Sequence, residues 1–256
     1  MKTVILCGGQ GLRIRDVSEI LPKPMIKIGN LPILHHIMNL YSKYNHNNFI
    51  LCVGYKSDVI LDYFKNLPYN LSDVHFNFKN KSETIKLDKT ISNWTVQIAH
   101  TGTDSLTGKR VKMIEKYIKE KDFFLTYGDG IGNIDISKLL KFHKSHNKIA
   151  TLTAVRPQSR FGEIKVENKF VKVFSEKTQL GIGRINGGFF VCKKKIFDYF
   201  DNEDSNCSFE HNILPKLSAD SQLMSFDHKD FWMPMDTNRE YIKLNNIWKK
   251  NPKKFY

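Results

Sequence analysis

The chain has 256 residues, 41% hydrophobic and 26% charged, a balance that fits a globular protein with a sizeable core and excludes wholesale disorder. No apolar run approaches the ~18 residues of a membrane span, and the stretch from Met1 to Gly9 is too short for a signal segment, so a cytoplasmic protein with no membrane partner is expected. The 40 Lys+Arg against 26 Asp+Glu leave a net charge of +14, yet only seven are Arg and no basic stripe with interleaved aromatics occurs, which argues against a nucleic-acid partner.

Strands and helices alternate from the first residue. Thr3–Cys7 is an apolar, β-rich run ending at glycine. Pro32–Tyr44 places Ile33, Ile37, Leu40, Tyr41 and Tyr44 at helical spacing, and Phe49–Val53 is a second short apolar run. Ser57 is a cap for a helix through Phe64. Thr95–Ala99 reads as a strand, Gly108–Ile118 as a helix with Val111, Ile114, Tyr117 and Ile118 inward, Phe123–Tyr127 as a buried strand, Ile136–His146 as a helix and Ala150–Val155 as a strand. Residues 65–94 are polar and show no clear period. After Val155 the runs shorten to Glu163–Val166, Val171–Phe174, Gly188–Cys192 and Gln222–Phe226, expected as mixed or antiparallel strands with two or three helices, among them Arg239–Lys249.

Apolar strands joined by helical crossovers predict an α/β protein with a Rossmann-like, mostly parallel sheet flanked by helices and a smaller mixed-strand part. With no repeat or linker in view, residues 1–256 read as one domain, 1–150 forming its first part and 151–256 its second. Ligands of such sheets bind at the carboxyl ends of strands. Two glycine-rich turns lie there: Gly8-Gly9-Gln10-Gly11 after the first strand, and Gly128-Asp129-Gly130 after Phe123–Tyr127. None of Cys7, Cys52, Cys192 and Cys207 forms a C-x-x-C pair, and the His residues lack zinc spacing; buried, reduced thiols are expected.

Four motifs carry chemistry. Leu6-Cys7-Gly8-Gly9-Gln10-Gly11-Leu12-Arg13, with Pro22-Lys23-Pro24-Met25 behind it, offers backbone amides and two cations to a phosphate. It is neither a Walker A loop nor a clean G-x-G-x-x-G. Asp129, leaving a buried strand, serves equally as a Mg²⁺ ligand or as a turn residue bonding its own backbone. Asp236 is a second carboxylate or, seen alone, a helix cap before Arg239. Arg160-Phe161-Gly162 with Ser175-Glu176-Lys177, and Arg184-Ile185-Asn186-Gly187-Gly188-Phe189-Phe190, suit a phosphorylated polyol, although each also reads as a surface turn and strand edge.

In order and spacing the four motifs resemble the sugar-1-phosphate nucleotidyltransferases, most closely the glucose-1-phosphate cytidylyltransferase branch, from Lys2 to about Trp248. Thr101-Gly102 with Thr107-Gly108-Lys109-Arg110, Thr126-Tyr127-Gly128-Asp129-Gly130, Ile185 to Phe190 and Met235-Asp236-Thr237 carry the resemblance with the first loop. It implies that CTP and a sugar 1-phosphate, glucose 1-phosphate in that branch, give CDP-glucose and pyrophosphate, with Mg²⁺ as cofactor and a homo-oligomeric assembly. Arg13, Lys23 and Lys177 would be catalytic. Leu6, Cys7, Gly8, Gly9, Gly11, Thr103, Asp104, Gly108, Arg110 and Gly128 would bind the nucleotide, and the base would be read within Thr103–Arg110. Glu176, Lys177, Asn186 and Gly187 would bind the acceptor, and Asp129 and Asp236 the metal. The chain departs from the family pattern at Leu12, where a Thr is usual, at Thr178, which follows Glu176-Lys177 in place of Pro, and at Arg184, where a smaller residue is expected. A cytidylyltransferase for another phosphorylated acceptor, and a nucleotide-binding regulatory relative without turnover, are the alternatives.

Overall fold

The structure is a computed structural model describing residues 1–9, 21–156, 163–175, 183–201 and 206–256. Seven strands build one sheet: β1 (Lys2–Leu6), β2 (Asn48–Val53), β3 (Thr95–His100), β4 (Asp122–Tyr127), β5 (Ala150–Val155), β6 (Ile185–Lys193) and β7 (Leu223–His228). Their spatial order is β7-β5-β6-β4-β1-β2-β3. All neighbours pair in parallel except β6, which runs antiparallel to both β5 and β4. Of the four short runs after Val155, two join the main sheet as β6 and β7, and the other two form the ribbon Glu163–Glu167/Phe170–Ser175, which among the described residues pairs within itself.

Both sheet faces are apolar because both parities of each central strand are. Ile5, Leu51, Phe124 and Val191 pack on one face with Ile33, Ile37 and Tyr41 of α1 (Ile33–Ser42). Val4, Ile50, Phe123, Leu125 and Cys192 pack on the other with Val111 of a later helix. Alternate residues of a strand point to opposite faces, so runs such as Phe49 to Val53 are continuous apolar stretches rather than alternating ones.

Helix boundaries are less faithful to the local signals. α2 (Ser57–Leu71) begins at Ser57, but the residue before it, Lys56, is the N-cap, in a left-handed conformation (φ 48°) with no side-chain cap bond. The helix continues seven residues beyond Phe64, through Pro68, burying only Leu67 in that extension; a solvated turn carries no apolar period to read. The expected helix over Gly108–Ile118 divides into α3 (Thr107–Met113) and a 3₁₀ turn Glu115–Tyr117, while Val111, Ile114 and Ile118 all remain inward. α4 (Ile136–Ser145) is capped by Asp135, whose carboxylate accepts from the Lys138 amide at 2.9 Å. α5 (Leu214–Ala219) and α6 (Asn238–Lys250) complete the set. The aperiodic stretch 65–94 contains the antiparallel ribbon Asp73–Asn77/Ser82–Lys86. Among the described residues no helix is long and apolar enough to cross a membrane. Cys7, Cys52, Cys192 and Cys207 are buried and form no disulfide with one another, and burial pushes the Cys52 thiol up to about 12.

Candidate active site

The adjacent strands β1 and β4 end side by side, Leu6 opposite Tyr127, and a cleft of about 800 Å³ opens at their carboxyl ends. It lies where successive strands diverge, β2 to one side of β1 and β4 to the other, as expected for a ligand site of such a sheet. Its walls include Leu6, Cys7, Gly8 and Gly9 at the end of β1, Thr103–Thr107, and Tyr127, Gly128 and Asp129 at the end of β4. Ser208, Glu210 and His211 close one side.

Close backbone approach explains the glycine at 128. Its amide donates to the Leu6 carbonyl at 3.0 Å, and a Cβ there would lie 2.8 Å from that oxygen. Gly8 packs against Arg110, whose Nη1 would lie 2.1 Å from a Cβ. Arg110 itself is buried, and its guanidinium donates to the carbonyls of Gly8 (2.9 Å), Gly102 (2.7 Å) and Thr103 (3.2 Å) and to Thr101 Oγ1 (2.7 Å). It ties the first glycine turn to the 101–103 loop, so the geometry makes it a strut for the cleft wall. Gly108 packs closely on the neighbouring segment: a Cβ there would meet Cys207 and Phe209.

The two carboxylates meet although 107 positions separate them in sequence. Gly130–Gly132 pairs antiparallel with Trp232–Pro234, Pro234 opposite Gly130, and the Met235 amide donates to the Asp129 carbonyl at 2.9 Å. This ribbon sets Asp236 beside Asp129. Asp236 is not the cap of α6: Thr237 is, accepting from the Glu240 amide at 3.3 Å while Glu240 returns a bond to the Thr237 amide, a full capping box. The cap interpretation of Asp236 is thereby corrected.

Lys23 completes the group. It opens the 3₁₀ turn Lys23–Met25, is 8% exposed, and bonds Asp129 Oδ2 at 2.6 Å and Asp236 Oδ1. Burial pulls its pKa down, but Asp129 and Asp236 outweigh that and hold the ammonium above its ordinary range. The residues fit a Mg²⁺ ion: two carboxylates converge on one cation, and Mg²⁺ is commonly held by one or two carboxylates with substrate phosphates supplying further oxygens.

A network that sequence reasoning missed joins the two sides of the cleft. Glu210 accepts from Tyr127 Oη (2.5 Å), Thr107 Oγ1 (2.5 Å) and Ser208 Oγ (2.9 Å), and Asn186 Nδ2 donates to Tyr127 Oη at 3.3 Å. Burial and then the Glu210 carboxylate raise the Tyr127 pKa, which keeps its hydroxyl a donor. Gly188, at φ +78°, lets the Tyr127 ring pass within 2.4 Å of where a Cβ would sit. No motif flags Glu210, because its partners come from three separate segments. Gly187 bonds by its carbonyl to Trp232 Nε1 at 2.8 Å. Arg184 forms a bidentate pair with Asp227 (2.5 and 3.0 Å) on β7, which accounts for an arginine at that position. Gly11, Leu12, Arg13, Arg160, Glu176, Lys177 and Thr178 lie outside the described residues.

The chain matches the nucleotidyl transferase family over residues 2–251. It is 42% identical to the glucose-1-phosphate cytidylyltransferase of Salmonella typhi over 252 residues, covering 98% of this chain and 96% of the relative. It is 39% identical to a probable glucose-1-phosphate cytidylyltransferase of Bacillus subtilis, covering 97% of this chain and 96% of the relative. Among solved structures, HddC from Yersinia pseudotuberculosis complexed with GMP-PN is similar at a TM-score of 0.70 and 26% identity, covering 96% of this chain and 99% of that one. Matched by the family over residues 2–251 and 42% identical over nearly its whole length to a glucose-1-phosphate cytidylyltransferase, the chain belongs to the nucleotidyl transferase family.

Proposed function

We propose that the protein transfers the cytidylyl group of CTP to α-D-glucose 1-phosphate, giving CDP-glucose and pyrophosphate. The observation that carries this is the convergence of Lys23, Asp129 and Asp236 beside the glycine turn at the ends of β1 and β4, in a chain 42% identical to glucose-1-phosphate cytidylyltransferases. Residues 1–150 would contribute chiefly to the nucleotide and 151–256 to the acceptor, the homo-oligomer implied by the resemblance being testable by analytical ultracentrifugation.

The nucleophile is a phosphate oxygen of the sugar phosphate, anionic near neutral pH because its second pKa is ~6, so no general base is required. Its lone pair forms a new O–P bond at the α-phosphorus of CTP, and the bond to the β-phosphate oxygen breaks with pyrophosphate leaving. What the protein must supply is in-line positioning and relief of repulsion between two polyanions. Asp129 and Asp236 would hold Mg²⁺, which when bound neutralises triphosphate charge. Backbone amides at Gly8 and Gly9 line the phosphates, and Lys23 and Arg13 supply cations. Arg110 and Glu210 keep the cleft walls in place, Asn186 faces the acceptor, and Lys177 and Glu176 are assigned to the acceptor phosphate and hydroxyls from the family pattern.

The test is competition among CTP, UTP and dTTP at equal concentration with glucose 1-phosphate. Cytosine offers an N4 donor and an N3 acceptor where uracil offers the reverse, and mispaired buried polar groups discriminate by as much as ~10⁴-fold. CDP-glucose should dominate. Equal use of CTP and UTP would overturn the cytidylyl assignment, and pyrophosphate release with another sugar phosphate alone would move the acceptor.

A further inference from the structure

The space between Asp129 and Asp236 is held by a cation of the chain itself. The Lys23 ammonium lies 2.6 Å from Asp129 Oδ2 and also bonds Asp236 Oδ1, and its side chain is 9% exposed while those of the carboxylates are 36% and 20%. Lys23 is fixed there by its backbone: it opens a 3₁₀ turn whose Met25 amide donates to the Pro22 carbonyl at 2.8 Å, with Pro24 and Met25 buried behind it. This is a stand-in cation in a two-carboxylate seat.

We propose that Lys23 and a divalent metal compete for this seat, so that the metal enters only as Lys23 leaves the carboxylates for the phosphates of an incoming nucleotide. The inference rests on the assignment of Asp129 and Asp236 as metal ligands. The physical reason is space and charge. Mg²⁺ takes oxygen ligands at about 2.0–2.1 Å, so an ion bound to both carboxylates lies inside the volume the ammonium fills. Two carboxylates and one ammonium sum to −1; a divalent ion added without displacement would sit in contact with a positive charge shielded from bulk water. Displaced alone, the ammonium would lose two charge-assisted bonds with nothing to replace them. A triphosphate supplies the replacement, which couples metal and nucleotide binding, and the coupling must be reciprocal.

The experiment measures Mn²⁺ binding to the full chain without nucleotide or sugar, by electron paramagnetic resonance of free Mn²⁺. Wild type should bind Mn²⁺ weakly. Lys23→Met, which removes the resident cation and keeps the chain length, should bind it at least about tenfold more tightly. Lys23→Arg should stay near wild type, and adding Asp129→Asn to Lys23→Met should abolish the gain. Mn²⁺ should also raise the melting temperature of Lys23→Met more than that of wild type. If Lys23→Met does not fold, Lys23→Gln serves the same comparison. Unchanged or weaker Mn²⁺ affinity in the neutral variant would overturn the exchange. Because the assay contains no substrates, a wild type active in cytidylyl transfer whose neutral variant shows no gain rejects this inference alone.

Discussion

Asp129 and Asp236 have similar surroundings and so make a sharp pair of variants. Each keeps its shape as Asn and loses its charge, and neither is a helix cap. Asp236→Asn and Asp129→Asn should each lower turnover about tenfold to a hundredfold, the worth of one charge-assisted contact, while leaving the melting temperature within a few degrees of wild type. Parallel activity and melting measurements check this; a melting drop at intact turnover for Asp236→Asn would mark it as structural. Arg110 should behave in the opposite way. It gives the Gly8, Gly102 and Thr103 carbonyls a planar fork that one lysine nitrogen cannot reproduce. Arg110→Lys should cost about 2–4 kcal/mol in urea denaturation and also weaken nucleotide binding, because the carbonyls left unpaired are those of the cleft wall. Nucleotide affinity held at wild-type level in a destabilised Arg110→Lys would separate the strut from the site.

At the scale of elements, the start of α6 and the ribbon before it place Asp236. The capping box of Thr237 and Glu240 fixes the residue after Asp236, and the Asp236 amide itself donates to Glu240 Oε2 at 2.8 Å. Thr237→Ala should cost about 1 kcal/mol of stability, the usual worth of such a cap. It should also reduce turnover beyond that loss, since the backbone that aims the carboxylate is released. Chemical denaturation together with steady-state kinetics checks both, and unaltered kinetics would show that the ribbon alone sets Asp236. α3 serves the same end differently: Thr107 at its first position bonds Glu210, and its Arg110 grips the loops after β1 and β3.

For the whole molecule, buried histidines set the response to acid. His35, His36 and His143 are at most 1% exposed, and burial pushes each down to about 4. They bond Tyr63 Oη (2.7 Å), Tyr256 Oη (2.6 Å) and Thr151 Oγ1 (2.8 Å), all contacts of packing. The unfolded chain takes up protons at these sites near pH 6.5, the folded chain only near 4. The stability they allow is therefore whole above pH 6.5 and is lost as pH falls toward 4, with a slope of as much as about 1.4 kcal/mol per pH unit for each. Urea midpoints at pH 7.5 and 5.0 should differ clearly, at a pH where most carboxylates are still ionised; a flat midpoint over that range contradicts the account.

The chain's own pattern determined the sheet strands, their burial on both faces, the glycine turns at the two central strand ends and the candidate residues proposed for phosphate chemistry. Those features are local: a continuous apolar run such as Phe123 to Leu125, a glycine after a strand, an Asp leaving it. The helix that outran its signal, α2, did so where its exposed turns left no period to read. Tertiary structure alone decided which distant residues meet. Lys23 finds Asp129 across 106 positions and Asp236 across 213, Arg110 turns inward to hold Gly8 across 102, Glu210 links Thr107 to Tyr127, and Arg184 pairs with Asp227. Each depends on which strands, ribbons and loops the folded chain sets side by side. Period and turn chemistry fix what a segment becomes, whereas the neighbour it meets is set by burial of both sheet faces at once, a property of the folded chain as a whole.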